Sequence, residues 1–190
     1  MVPVTDLWLP IVLSAVFVFV VSSLVHMVLQ VHKGDCAKLP AEDRVLEELR
    51  GHSIPPGLYA FPNAGSMKEM GSPEMIEKCK RGPRGFLTLM PSGAPSMGPN
   101  LALWFAFSLV VGLFAAYIGG LALGPGAAGR DVLQVTSAVA FAGYALANAT
   151  DSIWKGVPWR ITVKYLFDGL LYALATGATF AWLWPSLSAA

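Results

Sequence analysis

Between Asp6 and Lys33 the chain reads LWLPIVLSAVFVFVVSSLVHMVLQV, without one formally charged residue. A bilayer core of roughly 30 Å is crossed by about 20 helical residues, because a helix rises about 1.5 Å per residue. This run is long enough to span, and in water it would have to be buried on every face. Three later stretches repeat the pattern, at 101–123, 132–150 and 161–184, the last with Lys164 and Asp168 near its start. Four such runs in 190 residues set the fold class. We expect an all-α integral membrane protein, four transmembrane helices with a proline-rich cytoplasmic segment between helices one and two. Composition agrees: 55% of residues are hydrophobic and 13% charged, with mean hydropathy +0.57, where soluble domains carry about 25% charged residues. Thirteen Lys and Arg against twelve Asp and Glu leave no basic excess to attract nucleic acid.

The expected divisions are 1–32, the first helix; 33–100, a segment of short helices; and 101–190, a three-helix bundle. The leader MVPVTD has an acid and no Lys or Arg, so the first run is expected to stay as a helix rather than serve as a cleaved signal. Orientation is read from basic residues, which cytoplasmic loops retain. Nine lie between runs one and two, three (Lys155, Arg160, Lys164) between or just inside runs three and four, and one, Arg130, on the other side. Both termini are therefore expected outside, with 33–100 in the cytoplasm of a bacterial inner membrane. Cys36 and Cys79 then sit in a reducing compartment as free thiols.

Packing signals differ between the runs. Gly169, Ala173, Gly177 and Ala181 recur every four residues, as do Gly112, Ala116 and Gly120, forming ridges on which another helix can pack closely. Run one has valines and phenylalanines at 16–21 and no such ridge, which places it at the bundle edge, against lipid or another subunit. The six tryptophans fall near predicted helix ends, as an interfacial aromatic belt expects. Residues 37–100 hold nine of the fourteen prolines, so short elements are expected there: a helix in AEDRVLEELR, a second from Pro73 to about Gly82, and a strand or membrane-lying piece at GFLTLM. Five methionines between Met67 and Met97 suit an adaptable apolar surface.

Three groups of residues are candidates for chemistry. His26, Gln30, Asn148, Asp151, Lys164 and Asp168 fall at run ends on one predicted side and form a polar intramembrane cluster; such groups are costly in a bilayer and often line a functional cavity. The plainer reading pairs Lys164 with Asp168 at i, i+4 and leaves both structural. His32, Cys36, His52 and Cys79 offer an N/S set for zinc or copper, without Cys-x-x-Cys or regular His spacing to support it. Lys78, Lys80, Arg81 and Arg84 concentrate charge suited to lipid headgroups, or simply follow the orientation rule. No phosphate loop, nucleophile elbow or zinc-protease motif is present.

Along HKGDCAKLPAEDRVLEELR, AGSMKEMGSPE and LMPSGAPSMG the sequence resembles a group of uncharacterised bacterial four-helix integral membrane proteins. The resemblance implies the architecture and brings no activity, cofactor or site residue. The function expected from the sequence is non-enzymatic: an accessory, scaffolding or assembly subunit whose partners are the bilayer and other membrane subunits. The alternative is a small transporter or metal-binding protein using the polar cluster. The two differ in one visible respect, since a transporter needs a cavity between His26, Asn148 and Asp168, whereas a scaffold seals those groups with mutual hydrogen bonds.

Overall fold

The structure is a computed structural model and describes residues 1–186. It is predominantly helical and divides into two compact units, Met1–Asp35 with the described part of Ser96–Ala190, and Cys36–Pro95. The first run thus belongs with the last three helices.

In the first unit, a 3-10 turn at Val4–Leu7 leads into α1 (Trp8–Ser23), which closes in a π-helical turn at Leu24–Val28. Among the described residues, three helical segments are long and apolar enough to cross a membrane: Val4–Val28, Gly98–Ala122 and Gly129–Lys155. The fourth expected span, Trp159–Trp182, has the length but carries Arg160, Lys164 and Asp168, and it falls outside that set.

α1 packs into the bundle along one face. Its buried positions include Pro10, Ser14, Val18 and Ser22 at four-residue steps, and it packs on both neighbouring long helices. Serines take the role here that Gly and Ala play on the other helices. Ser14 and Ser22 turn their hydroxyls back to the carbonyls of Ile11 (3.0 Å) and Phe19 (2.9 Å), so each presents little more than a small side chain to its neighbour. The valine and phenylalanine face, including Phe17 and Val20, points outward.

The second unit has three short helices and two strands. α2 (Glu42–Gly51) is amphipathic, with Val45 and Leu49 half-buried. β1 (Gly57–Phe61) precedes two helices, α3 (Met67–Met70) and α4 (Pro73–Arg81), capped by the side chains of Ser66 and Ser72. β2 (Gly85–Leu89) then pairs antiparallel with β1, Gly57 opposite Leu89 and Phe61 opposite Gly85. GFLTLM is therefore a strand; its partner carries no comparable signal in the sequence. Of this unit's large apolar side chains only Met75 is buried, the thin core that so broken a segment allows.

Back in the first unit, α5 (Gly98–Ala122) and α6 (Gly129–Tyr144) are followed by a 3-10 turn at Leu146–Asn148, α7 (Ala149–Lys155) and α8 (Trp159–Trp182). The ridges lie at helix contacts. A Cβ added at Gly169 would come within 2.6 Å of Ala145 Cβ, one at Gly177 would overlap Ser137 Oγ, and one at Gly112 would meet Ser14 Oγ at 3.2 Å. Gly120 lies beneath Val2, whose N–H donates to the Gly120 carbonyl (2.9 Å).

Candidate functional site

Two helices stop being regular at the same end of this bundle. α1 loosens into its π turn, and Gln30 takes a left-handed backbone (φ 50°) that ends the helical path. α6 breaks at Ala145, where Gly169 of α8 presses closely, so the expected continuous helix at 132–150 is two pieces. Asn148 repairs the break: its side-chain amide donates to the carbonyls of Tyr144 and Ala145, both at 3.0 Å. Irregular backbone is tolerated at membrane depth where side chains satisfy it or where it borders a cavity, and π turns are frequent at functional sites.

The turn at Gln30 brings together residues that helical spacing alone would separate. On a continuing helix His32 would face away from His26; in the fold their rings stack, centroids 4.8 Å apart and planes within 14°. Tyr165 of α8 stacks on the other side of His32, also at 4.8 Å. His32 is held edge-on as well, with Nδ1 2.7 Å from Asp35 Oδ2 and Nε2 2.6 Å from Asp168 Oδ2. Each of these bonds needs a proton, so either the ring is an imidazolium donating to two carboxylates, or a neutral ring shares a proton with one carboxyl.

Lys164 corrects another expectation. It does not pair with Asp168 one turn on; its ammonium donates to Asp35 Oδ1 (2.6 Å) and to the Val31 carbonyl (2.9 Å). That hydrogen bond is the main reason the Asp35 carboxyl titrates below the usual carboxylate range, with His32 adding to the shift and partial burial opposing it. A chain of hydrogen bonds results, Lys164 to Asp35 to His32 to Asp168, linking the end of α1 to α8.

Beside this chain lies a half-open cavity of about 400 Å³. Its polar lining includes His26, Asn148 and Asp168, and its apolar wall includes Met27, Leu101 and Trp104. Tyr144, Tyr165 and Tyr172 complete an aromatic side, in which the rings of Trp104, Tyr144 and Tyr172 are 5.6–5.9 Å apart. Trp104 belongs to this wall rather than to an interfacial belt, its indole N–H donating to Ser22 Oγ (3.0 Å). Asp168 is 2% exposed. Only its Oδ2 is bonded; Oδ1 and the Tyr172 hydroxyl are buried without a hydrogen-bond partner among the described residues.

Of the six residues in the sequence-derived cluster, His26, Asn148 and Asp168 line the cavity and Lys164 lies behind it. Gln30 shapes the turn, and Asp151 pairs with Lys155 (2.8 Å) on α7, away from the lining. His32, expected only as a metal ligand, joins this group, and Asp35 and the tyrosines were missed. Tyr165 and Tyr172 stand three residues before and four after Asp168, a helical face the sequence does display; Asp35 depends on a turn that it does not.

For a metal, the converging set is His26, His32 and Asp168, with ligand atoms within 4.8 Å of one another. Its geometry fits poorly. Both His32 nitrogens are engaged by carboxylates, and the lone pairs of two nearly parallel stacked rings lie in separate planes, so one ion cannot meet both. The other proposed ligands belong to the second unit, where Cys36 and Cys79 are free thiols and His52 is exposed. Lys78, Lys80, Arg81 and Arg84 are exposed at the end of α4 and beyond it.

No protein-family model, curated protein or solved structure matches the chain. The functional reading therefore rests on the site.

Proposed function

We propose that the protein is a non-enzymatic, solute-binding membrane protein of the small-transporter type. The observation that carries this is a cavity whose lining includes Asp168, a buried acid with one carboxylate oxygen that has no hydrogen-bond partner among the described residues. Leaving such an acceptor unpaired costs about 1–3 kcal/mol, and intramembrane acids usually mark a ligand or ion path. The accessory-subunit reading expects the same groups sealed against one another, and Asp168 Oδ1 and the Tyr172 hydroxyl are not. In this reading α8 is the fourth span, its charged residues turned toward the bundle and the boundary. The excess of basic residues on this side of the runs favours a cytoplasmic cavity mouth in a bacterial inner membrane, with both termini outside.

Thiol labelling tests the proposal. Cys36 and Cys79 are changed to Ser, and cysteine is introduced either at Ser23 in the cavity wall or at Ala115, which is 0% exposed. A water-soluble methanethiosulfonate is expected to modify Ser23→Cys readily and Ala115→Cys hardly at all in the reconstituted protein. Equal inertness of the two would show a dry, closed site and sink the proposal.

A further inference from the structure

We infer that the second unit rests on the surface of an anionic bilayer, the outer face of its β-sheet against the lipid and the basic side chains just before β2 on the phosphates. This contact does not depend on what the cavity of the first unit holds.

Side chains alternate across a strand, and the register of β1 on β2 sorts them into two faces. Tyr59, Leu87 and Leu89 share one face and are half-buried. Leu58, Ala60, Phe86 and Thr88 share the other, and all four are exposed, Leu58 to 60% and Phe86 to 47%. Arg84 and Met90, two residues outside Phe86 and Thr88, are exposed as well. Two strands alone make a marginal sheet in water, and large apolar side chains grouped on one exposed face mark a contact surface.

Charge and connection choose the bilayer as the occupant of that face. Between Glu77 and Asp131 the chain has no acid, and Lys78, Lys80, Arg81 and Arg84 stand together at the start of this stretch, immediately before β2. No acid lies between Glu48 and Glu69 either, the stretch that contains β1. The unit's acids gather elsewhere, four of its seven on α2 at Glu42, Asp43, Glu47 and Glu48. Apolar side chains beside an acid-free basic run are the two signals that together hold a protein surface on anionic lipid. An acidic peptide would feel the same charges, but lipid is always at hand. Only eight residues, 90–97, separate β2 from α5, a helix apolar and long enough to cross a membrane, so the sheet meets the bilayer surface at high effective concentration.

The test uses the full chain with Cys36 and Cys79 changed to Ser and one cysteine introduced, either at Leu58 or at Glu47 on α2, and labelled with the polarity-sensitive fluorophore NBD. Each protein is placed in nanodiscs of phosphatidylcholine, or of phosphatidylcholine and phosphatidylglycerol in equal parts, with and without doxyl-labelled lipid. In the anionic discs NBD on Leu58→Cys is expected to shift to the blue and to be quenched by doxyl lipid, and NBD on Glu47→Cys to do neither. Most of the quenching should be lost in phosphatidylcholine alone, and also at about 1 M salt, where the screening length falls from about 10 Å to about 3 Å. Arg81→Gln and Arg84→Gln should each lower the ratio of docked to free unit about fivefold, the equivalent of about 1 kcal/mol per basic residue. A water-like probe on Leu58→Cys in anionic discs would overturn the inference. A blue shift without lipid quenching would do the same, because it would show the face covered by protein. Equal quenching in the two kinds of disc, or at the two labelled positions, would remove the roles given to the charges and to the sheet face respectively, and the inference with them.

Discussion

The two ends of the helical unit solve the same packing problem in opposite ways. At one end Val2, Leu7, Ala115, Ala116, Val132 and Phe180 form a closed apolar cluster, and Gly120 lets the backbone of Val2 approach closely while Gly119 admits the side chains of Thr136 and Trp184. At the other end Trp104, Tyr144 and Tyr172 pack ring against ring, and they also wall a cavity beside the Lys164–Asp35 ion pair. Small side chains bring helices together with little but dispersion between them. Large rings cannot interdigitate to the same depth, so a void with a polar floor persists where they meet. The difference teaches that the closed apolar packing and the cavity are separated along the bundle's length.

Adding bulk should break one end and spare the other. Gly177→Leu places side-chain atoms where Ser137 and the Leu133 carbonyl already are, and is expected to cost about 3 kcal/mol, read as a large fall in thermal midpoint in detergent. Ser23→Leu enlarges a residue on the cavity wall by a similar volume, loses one hydroxyl bond to Phe19, and should cost no more than about 1 kcal/mol. Equal destabilisation by the two would mean that the cavity end is as tightly packed as the other.

Acid should loosen the polar end first. Asp35 titrates lower in the folded chain than in the unfolded one because Lys164 and His32 bond its carboxylate. Between the two values the unfolded state binds more protons, so the contribution is complete above about pH 4 and is lost as pH falls through the lower, folded value. Lys164→Met should bring the titration of Asp35 back toward its ordinary range and flatten that acid limb. Hydrogen exchange around 31–36, followed below pH 4 in both proteins, checks this; an identical acid limb in the variant would contradict it.

The smallest effect expected is at the cavity rim. Ser22→Ala removes the acceptor for the Trp104 indole and should destabilise by about 1 kcal/mol, with a shift in tryptophan emission as the ring loses its anchor. An unchanged spectrum would show that aromatic packing alone fixes the ring.

How much of this was legible beforehand differs by residue. Three apolar spans were visible because transmembrane length and composition are local properties. The glycine ridges were visible because four-residue spacing puts residues on one helix face wherever the helix lies. His26, Asn148 and Asp168 could be grouped because all three stand at run ends on one predicted side. The serine face of α1 was overlooked, since a serine acts as a small residue only when its hydroxyl finds a carbonyl, and no composition rule records that. The pairing of Lys164 was misjudged because i, i+4 spacing offers Asp168, whereas the chain turn at Gln30 supplies Asp35 at 2.6 Å.

What the sequence by itself determined is the set of apolar helices, their small-residue faces and the level at which polar groups gather, all of which follow from periodicity and from the cost of polar atoms in lipid. Only the tertiary structure decided the site: that α1 unwinds after Ser23, that α6 breaks at Ala145 under Gly169, and that His32 bridges Asp35 and Asp168 while the other oxygen of Asp168 has no hydrogen-bond partner among the described residues. The physical reason is that these contacts join residues as many as 136 positions apart. Their geometry is set by where helices stop and how closely neighbours approach, and no local pattern along the chain encodes either.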